Sequence, residues 1–187
     1  CLALIDPLRA ALVHSVGTVR ALELGEPERV MRVLLGEAVI YGMFGTRSRK
    51  RTCALLERVE QMADALDGHA RGLALASRSV AEIQAGNFAK GFRSSAESLS
   101  LLARHPKTVG WELMTTRHFH LHALYYLGRF RELEDYIEEE YRASSLRRNR
   151  HRTSDVSLGH GALSCLLTHG REAAMQRVDE AGQFWAD

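Results

Sequence analysis

The sequence predicts an all-α protein of about nine antiparallel helices, and three observations lead to that prediction. Apolar residues recur at three- and four-residue spacing along nearly the whole chain, which is the period of a helix with one buried face. The 187 residues include 3 prolines and 15 glycines, and glycine or proline stands where most of the apolar stripes end. No window shows the sustained two-residue alternation of a half-buried strand.

The first five predicted helices follow one another with short breaks. Their apolar stripes run from Leu8 to Leu24, Val30 to Tyr41, Cys53 to Leu66, Leu73 to Ile83, and Phe88 to Leu102. The breaks fall at Gly25, at Gly42 and Gly45, at Asp67-Gly68, at Gly86 and at His105-Pro106. Pro27 suits a first helical turn, where its missing N–H costs nothing.

Four further helices are predicted in the rest of the chain. They run from about Val109 to Leu127, from Phe130 to Tyr141, from about Ser154 to Leu167, and from Arg171 to about Trp185. Gly128 and Gly170 separate the first and the last of these pairs. The polar stretch from Ser144 to Asp155 carries several arginines and is predicted to be a loop or a helix end.

The turns repeat at a fixed distance. Gly86-Asn-Phe, Gly128-Arg-Phe and Gly170-Arg-Glu are spaced 42 residues apart, and Gly25-Glu-Pro is an earlier copy at a less regular distance. We expect each of these glycines to end a helix in the left-handed conformation. A fixed period of this length is typical of stacked helix pairs that bury a shared core. We therefore expect a single helical-repeat domain over residues 1–187, cut from a longer chain.

Gly86, Phe88 and Gly91 resemble the glycine, aromatic and small-residue positions of tetratricopeptide repeats, and Gly128 and Phe130 match them in part. The period of 42 residues departs from the 34 residues of that family. The resemblance implies a right-handed α-α superhelix of divergent tetratricopeptide-like repeats.

A second resemblance covers more of the chain. Five segments resemble the C-terminal helical region of large bacterial serine/threonine protein kinases of the myxobacterial and planctomycete type. They are Arg49-Lys-Arg-Thr-Cys-Ala-Leu-Leu-Glu-Arg-Val, Gly72-Leu-Ala-Leu-Ala, Gly86-Asn-Phe, Trp111-Glu-Leu-Met-Thr-Thr-Arg-His-Phe and Ala123-Leu-Tyr-Tyr-Leu-Gly. The resemblance implies a regulatory or scaffolding region that binds a protein or peptide, including the kinase or ATPase region of its own parent chain.

Composition and charge exclude several other classes of protein. The formal net charge is +2, and no apolar run approaches the ~20 residues that span a bilayer. The three cysteines Cys1, Cys53 and Cys165 are scattered, which indicates neither a disulfide framework nor a thiolate metal site. We expect a cytoplasmic protein that does not bind membranes. The basic clusters around Arg47 to Arg51 and Arg147 to Arg152 lack interleaved aromatics, which argues against nucleic-acid binding.

No catalytic site, cofactor or metal site is predicted. Kinase motifs are absent, and Gly45-Thr-Arg-Ser-Arg-Lys lacks the second glycine of a phosphate-binding loop. His118 and His122 share a helix face and could reach one metal ion. Because the glutamate and third ligand of a zincin motif are missing, we interpret them as polar surface residues, with His120 pointing elsewhere. The acidic run from Glu132 to Glu140 is interpreted as a solvated helix face.

A partner-binding groove is the site that we predict. Aligning the repeats on Gly128 and Gly170 pairs polar residues at equivalent positions on two helices. They are Thr115, His118 and His122 on one helix, and Ser157, His160 and Ser164 on the other. We hypothesise that this groove accepts a peptide or a neighbouring domain. A ligand- or nucleic-acid-binding regulatory domain, a metal-dependent helical enzyme and association with a second copy stay open as alternatives.

Overall fold

The computed structural model describes residues 6–105, 110–146 and 156–183, and within these ranges the protein is all-α, without a strand. The predicted fold class is therefore confirmed. Nine α-helices occupy these ranges. They are α1 (Pro7–Leu24), α2 (Pro27–Gly42), α3 (Arg49–Asp64), α4 (Gly68–Gln84), α5 (Phe88–Arg104), α6 (Gly110–Tyr126), α7 (Phe130–Leu146), α8 (Ala162–Thr168) and α9 (Arg171–Gln183).

Two short segments depart from α-helical geometry. Gly45–Ser48 forms a 3-10 turn that leads directly into α3, so this helix starts earlier than its apolar stripe. Ser157–Gly161 forms a π-helical segment before α8, with a non-helical conformation at Gly159 (φ −80°, ψ −106°). The first segment lies in the break predicted at Gly42 and Gly45, whereas the second departs from the regular helix predicted from about Ser154 to Leu167. The ends predicted at Val109, Ser154 and Trp185, and most of the polar stretch up to Asp155, lie outside the described residues.

The predicted helix-ending glycines take the left-handed conformation. The φ angles of Gly25, Gly86, Gly128 and Gly170 lie between 68° and 88°. After Gly86, the N–H of Asn87 donates to the carbonyl of Glu82 (2.8 Å), and after Gly128 the N–H of Arg129 donates to Leu124 (3.0 Å). These bonds are the same six-to-one closure of the last helical turn. The sequence repeat is thus a repeat of backbone structure at Gly86 and Gly128, and Gly170 shares the left-handed φ angle.

Two compact units divide the chain between His120 and Leu121. The division falls inside α6, so the first unit contains α1 to α5 and the amino-terminal part of this helix. The second unit contains the carboxyl-terminal end of α6 together with α7, α8 and α9. The prediction of a single repeat domain over residues 1–187 stays a prediction.

One apolar cluster joins the helices of the first unit. Met31 and Leu35 of α2, Val59 and Ala63 of α3, Ala70, Leu73 and Ala74 of α4, and Leu102 of α5 are buried together. Helix α2 packs on α4 as well as on its neighbour α3. Contact with the next helix but one is what stacked helix pairs require, because one pair alone cannot cover its apolar face.

Two glycines and two buried serines lie in the contact between helices α4 and α5. The hydroxyl of Ser79 on α4 donates to the carbonyl of Gly91 on α5 (2.9 Å), and the hydroxyl of Ser98 on α5 donates to the carbonyl of Gly72 on α4 (2.7 Å). A Cβ at Gly72 would lie 2.7 Å from Leu102, and one at Gly91 would overlap Ile83. The small-residue position of the predicted repeat therefore has a steric reason.

An ion pair fastens α4 to α3. The guanidinium of Arg78 donates to both carboxylate oxygens of Glu60, with 2.7 Å between Nη2 and Oε2. The hydrogen bond from Glu60 raises the pKa of Arg78 above its usual value, against the opposing effect of burial. Arg78 thus keeps its charge, and the pair orients α4 on α3 from the edge of the core.

Helix α1 turns its apolar stripe away from the rest of the first unit. The inner face of α1 consists of small or polar residues, among them Ala10, His14, Thr18 and the buried Ala21. Leu8, Leu12, Val16 and Val19, which form the predicted stripe, are 49% to 83% exposed. The period of α1 was predicted, but which face packs on α2 could not be read from it.

The described helices include none that is long and apolar enough to cross a membrane.

Two glycine substitutions inside helices should change stability in opposite directions. We expect Gly91→Ala to lower the free energy of unfolding by about 1–3 kcal/mol, because the new methyl group has no room beside Ile83. Gly17→Ala should raise it by up to about 1 kcal/mol, because nothing lies near its Cβ and alanine favours the helix. Urea unfolding measures both, and a Gly91→Ala variant as stable as the parent would contradict the close contact.

Candidate functional site

The predicted groove residues lie on α6, in the π-helical segment Ser157–Gly161 and, for Ser164, in α8. Thr115, His118 and His122 are half-buried along α6, one helical turn after another. His160 is half-buried in the π-helical segment. The rings of His118, His122 and His160 come together, whereas Ser157 and Ser164 are buried.

The serines of the predicted groove are inside the second unit. Ser157 is 2% exposed and Ser164 is 1% exposed, and neither hydroxyl has a hydrogen-bond partner among the described residues. A partner bound to the surface would not reach these hydroxyls in this conformation. The use of the groove by a peptide or a neighbouring domain stays a prediction.

His118, His122 and His160 lie close together. The sequence alignment of the repeats had indicated only that His118 and His160 occupy equivalent positions. The rings of His122 and His160 are 4.3 Å apart between centroids and nearly perpendicular, at 73°. His118 lies one turn before His122 on the same continuous helix. One nitrogen from each of the three rings lies within 4.8 Å of the other two. The sequence identified the pair on α6 but placed His160 only at the equivalent groove position of the next repeat.

Aromatic side chains surround the three imidazoles. The ring of Tyr126 stacks on His122 at 6.1 Å, and Tyr125 meets His160 edge-on at 6.0 Å. The ring of Phe119 stands edge-on to His118 at 5.6 Å. Such contacts restrict the orientation of each imidazole and lower the polarity around it.

The π-helical segment places His160 between two glycines. A Cβ on Gly161 would overlap the carbonyl oxygen of Val156, so the backbone can close the turn only with glycine at this position. Gly159 supplies the non-helical conformation just before the histidine. Single π-helical turns occur often at functional sites because they redirect a side chain. Here the turn directs His160 at α6.

His120 points away from the other histidines of α6, as the sequence predicts. It is buried, its Nδ1 lies 2.7 Å from the hydroxyl of Ser95 on α5, and its ring stacks on Phe92 at 4.8 Å. Residues two apart on a helix face different directions. His120 therefore belongs to the packing of the first unit and is no member of the three-histidine cluster.

A second polar cluster, which the sequence did not reveal, lies in the first unit. Nε2 of the buried His69 is 2.9 Å from a carboxylate oxygen of Glu112, and Arg32 lies 3.3 Å from the other oxygen. The ring of His105 stacks on His69 at 5.2 Å. Arg32, His69 and Glu112 come from three different helices and His105 follows a fourth, so no local spacing connects them. The cluster gives Glu112 of the Trp111-Glu-Leu segment a role in joining helices.

The acidic face of α7 is partly paired inside the second unit. Glu138 accepts a hydrogen bond from Arg177 of α9, Glu134 lies 3.1 Å from His169, and Glu132 pairs with Arg129. The sequence interpreted this run as a solvated face. The described contacts show that some of these carboxylates also hold the helices of the unit together. The basic cluster from Arg147 to Arg152 lies outside the described residues.

Removal of the Ser95 hydroxyl should destabilise the protein. We expect Ser95→Ala to lower the free energy of unfolding by about 1–3 kcal/mol, because the substitution removes the hydrogen bond between the Ser95 hydroxyl and the buried ring of His120. Ser100 is exposed on the same helix, so Ser100→Ala should change stability by no more than about 0.5 kcal/mol. Urea denaturation compares the two, and equal effects would argue against a structural role for this bond.

No family model, curated protein or solved structure matches the chain. The resemblances to tetratricopeptide repeats and to the C-terminal region of bacterial kinases therefore rest on the residues quoted for them, and both stay predictions.

Proposed function

We propose that the chain is a non-catalytic protein-interaction module and that the outer face of α1 binds a helix of its partner. The observation that carries this proposal is the row of large apolar side chains exposed along that face. Leu8 is 83% exposed, Leu12 65% and Val19 56%. An apolar surface of this kind is costly in water unless another surface covers it.

The arrangement of the row supports a helix as the partner. Leu8, Leu12, Val16 and Val19 recur every three or four residues, so they form one stripe along about three turns. At 100° per residue, this stripe lies on the side of α1 opposite Ala10, His14 and Ala21, which face α2. Helix α1 is therefore apolar on the face that has no described neighbour. Ridges of side chains at this spacing pack into the grooves of another helix.

The chemistry of the partner follows from the stripe and its surroundings. We expect the opposing helix to carry leucine, isoleucine or valine at three- and four-residue spacing. Such an amphipathic helix would bind as in the helix-in-groove mode of recognition. Arg9 and Arg20 are exposed on α1 and would favour acidic residues on the rim of the partner. The resemblance to bacterial kinases adds a candidate partner, the kinase or ATPase region of a parent chain. In that setting the module would recruit a protein or restrain the parent kinase.

Site-specific crosslinking tests this proposal. A photo-activatable amino acid replaces Leu12 or Val16, with replacement of Arg93 on the exposed side of α5 as the matched control. We expect both α1 positions to crosslink to one apolar helical segment, which mass spectrometry would map, and the control position to give no such product. Leu12→Glu together with Val16→Glu should weaken binding to that segment by more than about tenfold, because the interface would have to bury charge.

Sedimentation of the unmodified protein completes the test. A mass that rises with concentration, together with crosslinks between two α1 helices, would identify a second copy as the partner. A monomer whose α1 positions crosslink no more than the Arg93 position would overturn the proposal, because the apolar face would then be stably exposed.

A further inference from the structure

We propose that His118, His122 and His160 bind one divalent transition-metal ion, with zinc as the metal that fits best. This inference is independent of the proposed interaction function, because it concerns α6 and the π-helical segment and involves no residue of α1. It also differs from the prediction made from the sequence, which found two histidines and too few ligands. The new observation is the third imidazole.

The backbone fixes the separation of the three ligands. His118 and His122 stand on successive turns of α6, the spacing at which two histidines of one helix reach the same ion. The third ring packs against His122 at a centroid distance of 4.3 Å and against Tyr125 of the same helical end. His160 is therefore held on α6 by contacts within the second unit.

The distances suit a metal ion after a small adjustment. The ligand nitrogens lie within 4.8 Å of one another. In a tetrahedral zinc site with bonds of 2.0–2.1 Å, two ligand nitrogens lie about 3.3 Å apart. Rotation about the χ1 and χ2 bonds of the histidines can close a difference of about 1.5 Å without moving the backbone.

The ligand type selects the class of ion. All three ligands are imidazoles, and this cluster contains no carboxylate or thiolate. Imidazole suits zinc, copper, nickel and cobalt, whereas calcium and magnesium require oxygen ligands. Three neutral ligands leave the full double charge on the ion, and zinc sites with three protein ligands hold water or another ligand at the fourth position. The site would thus accept a water molecule or a small anion there.

The surroundings of the rings favour binding over simple exposure. Each of the three histidines is half-buried, and each ring contacts one aromatic neighbour, namely Tyr126, Tyr125 or Phe119. Half-buried side chains have fewer rotamers to lose than exposed ones, which lowers the entropy cost when an ion fixes the ligands.

Calorimetric titration with zinc tests the site. The protein is freed of metal by a chelator and titrated with zinc chloride at neutral pH. We expect one equivalent to bind with micromolar or tighter affinity and to raise Tm. His118→Ala, His122→Ala and His160→Ala should each weaken binding by more than about tenfold. His169, which is exposed in the same unit, provides the matched control, and His169→Ala should bind zinc as the parent does.

Cobalt gives a second measurement that does not require the variants to fold. Cobalt(II) bound to the unmodified protein should show the visible spectrum of a tetrahedral nitrogen site and shift the NMR signals of His118, His122 and His160 more than those of other histidines. Thiolate absorption that disappears in Cys165→Ser, or shifts centred on other histidines, would overturn the proposal. Failure of zinc, cobalt, nickel and copper to bind the folded parent protein would overturn it as well.

Neither result depends on the partner of α1. Loss of metal binding in the histidine variants leaves the crosslinks from Leu12 and Val16 as they are, and charged substitutions on α1 leave zinc binding as it is. The failure of one proposal is therefore distinguishable from the failure of the other.

Discussion

The close contact between α4 and α5 is the constraint on which the core of the first unit depends. Two serine hydroxyls donate to the carbonyls of the glycines that they face across the helices, and larger residues at those glycines would force the helices apart. Because the backbones approach so closely, Leu102 reaches Leu73 and the side chains of α2 and α3. The cluster contains aliphatic residues of modest size, and a wider separation would leave cavities that cost stability.

The local part of this architecture could be predicted from the sequence, and the reason lies in the turns. The helices end at Gly86, Gly128 and Gly170 because glycine adopts the left-handed conformation at little cost. The positions of these glycines therefore predicted the helices between them. Which face of a helix packs against the rest of the protein was harder to predict. The apolar stripe of α1 has the correct period, yet Leu12 and Val16 face outward, because periodicity identifies a face without naming what covers it.

The convergence of the three histidines could not be predicted from helical periodicity either. The alignment of repeats placed His118 and His160 at equivalent positions, which indicated shared faces but not a shared centre. The convergence depends on the π-helical segment, since Gly159 and Gly161 alter the direction of His160 relative to a regular helix. A helical period of 3.6 residues cannot predict such a turn, because one inserted residue changes every later side-chain direction. The pairing of His69 with Glu112 could not be predicted for a simpler reason, because the two residues are separated by 43 positions along the chain.

The repeat itself supplies an argument that the histidines on α6 have a role beyond packing. Shifting by 42 residues places Thr115, His118 and His122 where α4 has Leu73, Ala76 and Val80. Leu73 and Val80 are buried, and Leu73 belongs to the core of the first unit. Ala76 is half-buried, so His122 is the histidine that replaces a buried apolar residue, and its imidazole gives up the stabilisation of apolar burial. In the next repeat, His160 stands at the position equivalent to His118. Its ring packs against the ring of His122. A metal ion bound by the three imidazoles would give this polar cluster a stabilisation of the kind that the apolar residues of the earlier repeat obtain from burial.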